Sequence, residues 1–117
     1  MSIRRIVPNF QYATPDQASH FYADFLGLEI SMDMGWIITF VSPTNKTAQL
    51  SILSQDPRAK IHPDCSIEVS DVEKLYERAV QEDMQILYPL TEEPWGVRRF
   101  FVADPSGHVI NLMEHIG

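Results

Sequence analysis

The chain has 117 residues, 44% of them hydrophobic and 21% charged, with 9 Lys and Arg against 16 Asp and Glu for a net charge of −7. This is the balance of a soluble globular protein, long enough for one domain or for two half-sized units sharing a core. Nucleic acid and anionic membrane both select a basic face, so neither is expected as a partner, and the scattered acids imply no acidic tail. The single cysteine, Cys65, makes no intramolecular disulfide, which fits a reducing, cytoplasmic setting. No apolar run nears the roughly 20 residues of a membrane span. The N-terminus reaches Pro8 and Asn9 without the apolar core of a signal peptide.

In chain order, Ile3 to Phe10 alternates as a first strand. Thr14-Pro15-Asp16-Gln17 reads as a helix start with a capping box, and Ala18, Phe21, Tyr22, Phe25 and Leu26 follow at helical spacing until Gly27. Short strands are expected at 28–32, 36–41 and 47–53, separated by Asp33-Met34-Gly35 and Pro43-Thr44-Asn45-Lys46. Residues 54–63 are polar, contain Pro57 and Pro63, and read as a linker. A strand at 64–69 follows, then a second capping box, Ser70-Asp71-Val72-Glu73, and a second apolar stripe of Val72, Leu75, Tyr76, Ala79 and Val80. Residues 84–88 read as a strand and 91–94 as a loop. Strands at 96–103 and 108–114 close the chain around the turn Asp104-Pro105-Ser106-Gly107.

The order strand, helix, strand, strand, strand therefore occurs twice, with cap, stripe and hairpin recurring in register. The fold class expected is α+β: two βαβββ units, 1–57 and 58–117, in a pseudo-twofold repeat that forms a curled mixed sheet with a cavity. Alternation assigns faces. Ile6, Pro8 and Phe10, then Leu50 and Ile52, Cys65, Ile67 and Val69, and Ile110 and Leu112 are expected to pack. Val7 and Asn9, Gln49 and Ser51, Asp64 and Glu68, and Asn111 face the other way. That second face mixes polar and apolar groups, as the wall of a small-molecule site does.

Three phrases carry a family resemblance: Phe21-Tyr22-Ala23-Asp24-Phe25-Leu26-Gly27-Leu28, Glu68-Val69-Ser70-Asp71-Val72, and the closing hairpin with Asp104-Pro105-Ser106-Gly107-His108. Together the chain resembles the vicinal oxygen chelate superfamily of glyoxalases, bleomycin-resistance proteins and extradiol dioxygenases. The resemblance implies a U-shaped sheet, usually in a homodimer, and in the enzymes a divalent metal held by His or Glu. Carried over, those ligand positions fall on Val7, Ser51, Asp64 and Asn111, of which Asp64 alone is a good ligand. No metal and no other cofactor is expected.

The reading is a metal-independent small-molecule-binding protein of this superfamily, sequestering a drug or metabolite, and its acidic balance would suit a cationic ligand. The alternative is a glyoxalase-like lyase or isomerase acting on a small oxygenated substrate, with Glu68 as candidate base. Candidate ligand-binding residues are Val7, Asn9, Trp36, Gln49, Ser51, Asp64, Glu68, Trp95, Arg99 and Asn111. Trp36 and Trp95 can stack on a flat ligand, and Trp95 can form a flap. Arg5, with either Arg98 or Arg99, can pair with Glu68; Arg98 and Arg99 are adjacent, so only one faces inward. His62 can reach the cavity edge, His20 is expected to be exposed, His108 to point away from the Asn111 face, and Cys65 to be an inert core thiol.

Overall fold

The computed structural model describes residues 1–116. Its eight strands are β1 (Ile3–Gln11), β2 (Glu29–Asp33), β3 (Ile37–Val41), β4 (Gln49–Leu53), β5 (Cys65–Val69), β6 (Ile86–Glu93), β7 (Val97–Ala103) and β8 (Val109–His115). One regular helix, α1 (Val72–Gln81), lies between β5 and β6. Among the described residues no helix is long and apolar enough to cross a membrane.

Two compact units emerge. The first-half unit is Val7–His62, and the second-half unit is Met1–Ile6 together with the chain from Pro63 onward. In the first-half unit the strand order is β2-β3-β4-β1; β1 runs parallel to β4, with Asn9 opposite Ser51, and the other neighbours are antiparallel. In the second-half unit the order is β6-β7-β8-β5, with β5 parallel to β8, Ser66 opposite Asn111, and the rest antiparallel. The connectivity is the same in both, so the chain is an α+β protein built from a repeated βαβββ unit.

In the second-half unit α1 lays Val72, Leu75, Tyr76 and Ala79 against Ile67 and Val69 of β5, Phe100 and Val102 of β7, and Ile110 and Leu112 of β8. Val80, the last residue of the expected stripe, is exposed. The helix starts one residue later than the expected capping box. Asp71 is the cap, its carboxylate accepting the Lys74 N–H at 3.2 Å, while the Ser70 hydroxyl accepts the Ser2 N–H at 2.7 Å.

The first-half unit departs from the expected regular helix. Pro15–Ala18 is one 3-10 turn and His20–Phe25 one π turn, and Thr14 makes no side-chain cap. The wide turn is closed by the Leu26 N–H on the Phe21 carbonyl and the Leu28 N–H on the Tyr22 carbonyl, both 3.0 Å. That winding splits the apolar stripe. Ala18 and Tyr22 join Ile38, Phe40 and Ile52 in the core, whereas Phe21, Phe25 and Leu26 are exposed.

The packing expected of β1 is reversed. Val7 and Asn9 are 3% and 5% exposed, but Ile6 and Phe10 are 57% and 46% exposed, and Pro8 is exposed as well. The reason is coverage: the short helical turns pack on β3 and β4, and the strand residues of that core come from those two strands. A further strand departure is β6, which runs on to Glu93 where a loop was expected, because it stays paired with β7 as far as Glu93 opposite Val97.

Candidate functional site

The residues that face α1 fix, by alternation, what lies on the other side of the second-half sheet. That side carries Ser66 and Glu68 from β5, Asn111 and Met113 from β8, and Val97, Arg99 and Phe101 from β7. All but Ser66 and Glu68 are less than a tenth exposed.

Arg99 is the centre of this face. Its side chain is 5% exposed and that of Glu93 0%; Nε meets Oε2 at 2.7 Å and Nη2 meets the same oxygen at 2.5 Å. The Tyr88 hydroxyl donates to that oxygen at 3.0 Å. The rings of Trp95, Phe101 and Tyr88 lie 5.1, 5.1 and 5.3 Å from the guanidinium carbon, within range of cation–π attraction. Trp95 itself is half-buried. The neighbouring Arg98 points the other way, to Glu92 at 3.0 Å and Glu73 at 3.6 Å. Arg99 is thus the inward arginine, and its carboxylate partner is Glu93 rather than Glu68.

Glu68 is held by Arg5 at 2.6 Å and by His115 at 3.0 Å, with 13% of its side chain exposed. Burial pushes its carboxyl up, but hydrogen bonds from His115 and Arg5, together with their charges, outweigh that and hold it below the usual range. A carboxylate so stabilised is a weak proton acceptor. Asn111, in register with Ser66, donates through Nδ2 to the Ser66 hydroxyl at 3.0 Å.

Asp64 is not part of this group. It lies just before β5, is exposed, and its carboxylate accepts the Val109 N–H at 2.9 Å, pinning the start of β8. His108 is tied to Asp104 at 3.0 Å, and the exposed His20 to Asp24 at 3.4 Å. Cys65 is half-buried rather than a core residue.

In the first-half unit, Asn9 and Ser51 sit opposite one another and both are buried. Ser51 shares a 2.7 Å hydroxyl–hydroxyl hydrogen bond with Thr39, its partner on β3. Val7 is buried on the same strand face as Asn9. The Gln49 amide donates to the Lys46 carbonyl at 2.7 Å. Trp36 is half-buried at the mouth of β3, where its carbonyl accepts the Ser54 N–H. The His62 ring is 3.2 Å from the Asn9 carbonyl.

The parallel registers relate the two units. If Ser51 corresponds to Asn111, then Asn9 corresponds to Ser66 and Val7 to Asp64. A divalent ion needs several carboxylates or imidazoles together. These positions supply an apolar side chain, a hydroxyl, an amide and one carboxylate already bonded to backbone, so they do not fit such an ion. Among the described residues no three His, Cys, Asp or Glu side chains form a metal-binding group.

Two contributors escaped the sequence reading. Glu93 stood in an expected loop, although the acids Glu92-Glu93 mirror Arg98-Arg99 across the Trp95-Gly96 turn and could have signalled the pairing. His115 lies one residue past the expected strand at 108–114, but β8 continues through it.

Residues 6–112 match the family model of the Glyoxalase/Bleomycin resistance protein/Dioxygenase superfamily. Among curated proteins none matches the chain. Solved structures share the fold. A protein from Legionella pneumophila described as an NAD-dependent benzaldehyde dehydrogenase superposes with a TM-score of 0.76 at 21% identity, over 94% of this chain and 98% of that one. A glyoxalase/bleomycin resistance protein/dioxygenase superfamily member from Vibrio splendidus 12B01 gives 0.71 at 17% identity, over 97% and 99%. The 2,3-dioxygenase LapB from Pseudomonas sp. KL28 gives 0.66 at 11% identity, over 95% of this chain and 42% of its own.

Proposed function

The chain belongs to the Glyoxalase/Bleomycin resistance protein/Dioxygenase superfamily, and on that premise we propose that it binds a small organic molecule without a divalent metal. One observation carries this reading. Where metal ligands would be carried over, the chain has Val7, Ser51, Asp64 and Asn111, and the only acid among them is engaged with the Val109 N–H. At these positions and beside them in register the buried polar groups are neutral, Asn9, Thr39 and Ser51 within one unit and Asn111 within the other, while the buried charges Arg99 and Glu93 on the Asn111 face are paired with each other. Neutral hydrogen-bonding groups among aromatic rings suit an organic ligand better than an ion.

The lyase or isomerase alternative, with Glu68 as base, is the weaker reading, because its hydrogen bonds with His115 and Arg5 lower that carboxylate's basicity. The proposal includes a homodimer, since exposed Phe10, Phe21 and Phe25 suit burial against a second copy, and a cytoplasmic setting with no nucleic-acid or membrane partner.

Metal analysis of protein purified without chelator, followed by a thermal-shift screen with divalent metals and with cationic and neutral aromatic compounds, tests the binding reading. The expected result is metal well below one equivalent, no shift with metals, and a concentration-dependent rise in Tm with an organic compound. One tightly bound equivalent of divalent metal that disappears in Asp64→Asn would overturn it.

A further inference from the structure

Asn111 is 7% exposed, and its two amide ends are treated differently. Nδ2 donates to the Ser66 hydroxyl at 3.0 Å, which fixes the plane of the amide and turns Oδ1 the other way. Oδ1 is buried and accepts no hydrogen bond from the described residues. A buried acceptor left in this state is costly, and a donor brought to it regains that cost. The strand register also places this acceptor beside an aromatic wall. Asn111 stands opposite Phe101, and Phe101 opposite Tyr88; the Arg99 guanidinium bridges these rings to the half-buried Trp95.

We propose that Asn111 Oδ1 is the specificity-determining acceptor for a neutral, flat ligand that presents an N–H or O–H at its edge. The proposal rests on the small-molecule reading above and narrows its ligand class. Flatness follows from the half-buried rings of Tyr88 and Trp95, the accessible part of that wall, against which a planar molecule makes the most contact. Neutrality follows from local charge compensation: Arg99 is paired with Glu93, and Glu68 with Arg5 and His115. The overall charge of −7 is therefore no guide to this face. The donor requirement follows from Oδ1, which as a carbonyl oxygen can only accept. A flat ligand whose edge is methylated would leave Oδ1 as it is.

Indole and 1-methylindole differ in the one donor and serve as probes. Titration calorimetry on the intact wild-type protein is expected to show indole binding about tenfold or more tightly than 1-methylindole. In Asn111→Leu the two should bind equally, at the level of 1-methylindole. Equal affinities in the wild type would overturn the proposal while leaving small-molecule binding in place, and that comparison needs no variant. Discrimination that survives in Asn111→Leu would also overturn it, as would a crystal structure of the indole complex in which a water held only by protein stays on Oδ1. If neither indole binds while another compound in the thermal-shift screen does, the ligand class is wrong and the binding reading stands.

Discussion

Arg99 and Glu93 form an ion pair withdrawn from solvent, diagonal across the β6–β7 hairpin: Arg99 is opposite Thr91 and Glu93 opposite Val97. A pair this buried has given up the hydration of both ions, and its internal attraction only roughly offsets that loss. Removing one partner is therefore much worse than removing both. Glu93→Gln is expected to cost about 3–5 kcal/mol, and Glu93→Gln with Arg99→Met considerably less than the two single changes added together. Tyr88→Phe, which removes one hydrogen bond to the same carboxylate, should cost about 1 kcal/mol. Urea unfolding of the set measures this. Simple additivity would mean that the pair is not coupled as its geometry indicates.

Glu68 predicts an acid limb in the stability profile. Its carboxyl is held below the ordinary range in the folded state by His115 and Arg5, against the opposing effect of burial. A folded-state value below the unfolded one means that the folded protein binds fewer protons. Its stabilisation is then complete above the unfolded-state value and is lost as pH falls through the folded one. The urea midpoint should drop below about pH 4.3, the usual value for a glutamate, and Glu68→Gln should drop less steeply there. Asp104 shifts in the same direction, mainly because it accepts the His108 N–H, so part of the acid limb should remain. An unchanged slope in Glu68→Gln would remove Glu68 from this account.

What was legible in the chain was the repeat. Tyr22 packs on Phe40 at 5.5 Å in the first-half unit and Tyr76 on Phe100 at 5.0 Å in the second, so the same helix-to-strand aromatic contact is written twice. Alternation also separated the two faces of β4, β5 and β8. Alternation cannot say which face another element will cover, and for that reason β1 was read inside out: nothing in Ile6, Pro8 and Phe10 records that the helical turns of their unit pack on β3 and β4. Nor does a stripe at helical spacing distinguish an α-helix from a single π turn over His20–Phe25. The site was half legible. Arg99 and Asn111 followed from parity within strong strands, whereas Glu93 depends on a pairing that prolongs β6 through Thr-Glu-Glu, a phrase with little strand preference of its own.

Gly96 supports the presentation of Trp95. It has φ of +87°, its N–H reaches the Glu93 carbonyl at 3.1 Å, and its carbonyl accepts the Ile116 N–H at 3.0 Å. A Cβ there would sit 3.7 Å from the Ile116 carbonyl oxygen, an ordinary contact. The cost of Gly96→Ala is therefore one of backbone conformation, about 1–2 kcal/mol. The near-UV circular dichroism of Trp95 should change with it if the turn relaxes. A variant with wild-type stability would show that the turn adopts another conformation at little cost.

The two helix starts provide an internal control for capping. Both were expected to have capping boxes, but Thr14 makes no side-chain hydrogen bond to its short turn, whereas the Asp71 carboxylate accepts the Lys74 N–H and lies beside the positive end of a 10-residue helix. An N-cap contributes through the N–H it satisfies, with a smaller gain from negative charge near the helix dipole. Asp71→Ala should therefore cost about 1 kcal/mol, while Thr14→Ala should fall within about 0.5 kcal/mol of wild type. Both positions are solvent-accessible, so neither substitution leaves a buried hole to confuse the comparison. Denaturant midpoints measured side by side give the answer. Equal losses at the two sites would mean that Thr14 caps its helix in solution after all, and that the first helical segment is more regular than its 3-10 and π turns indicate.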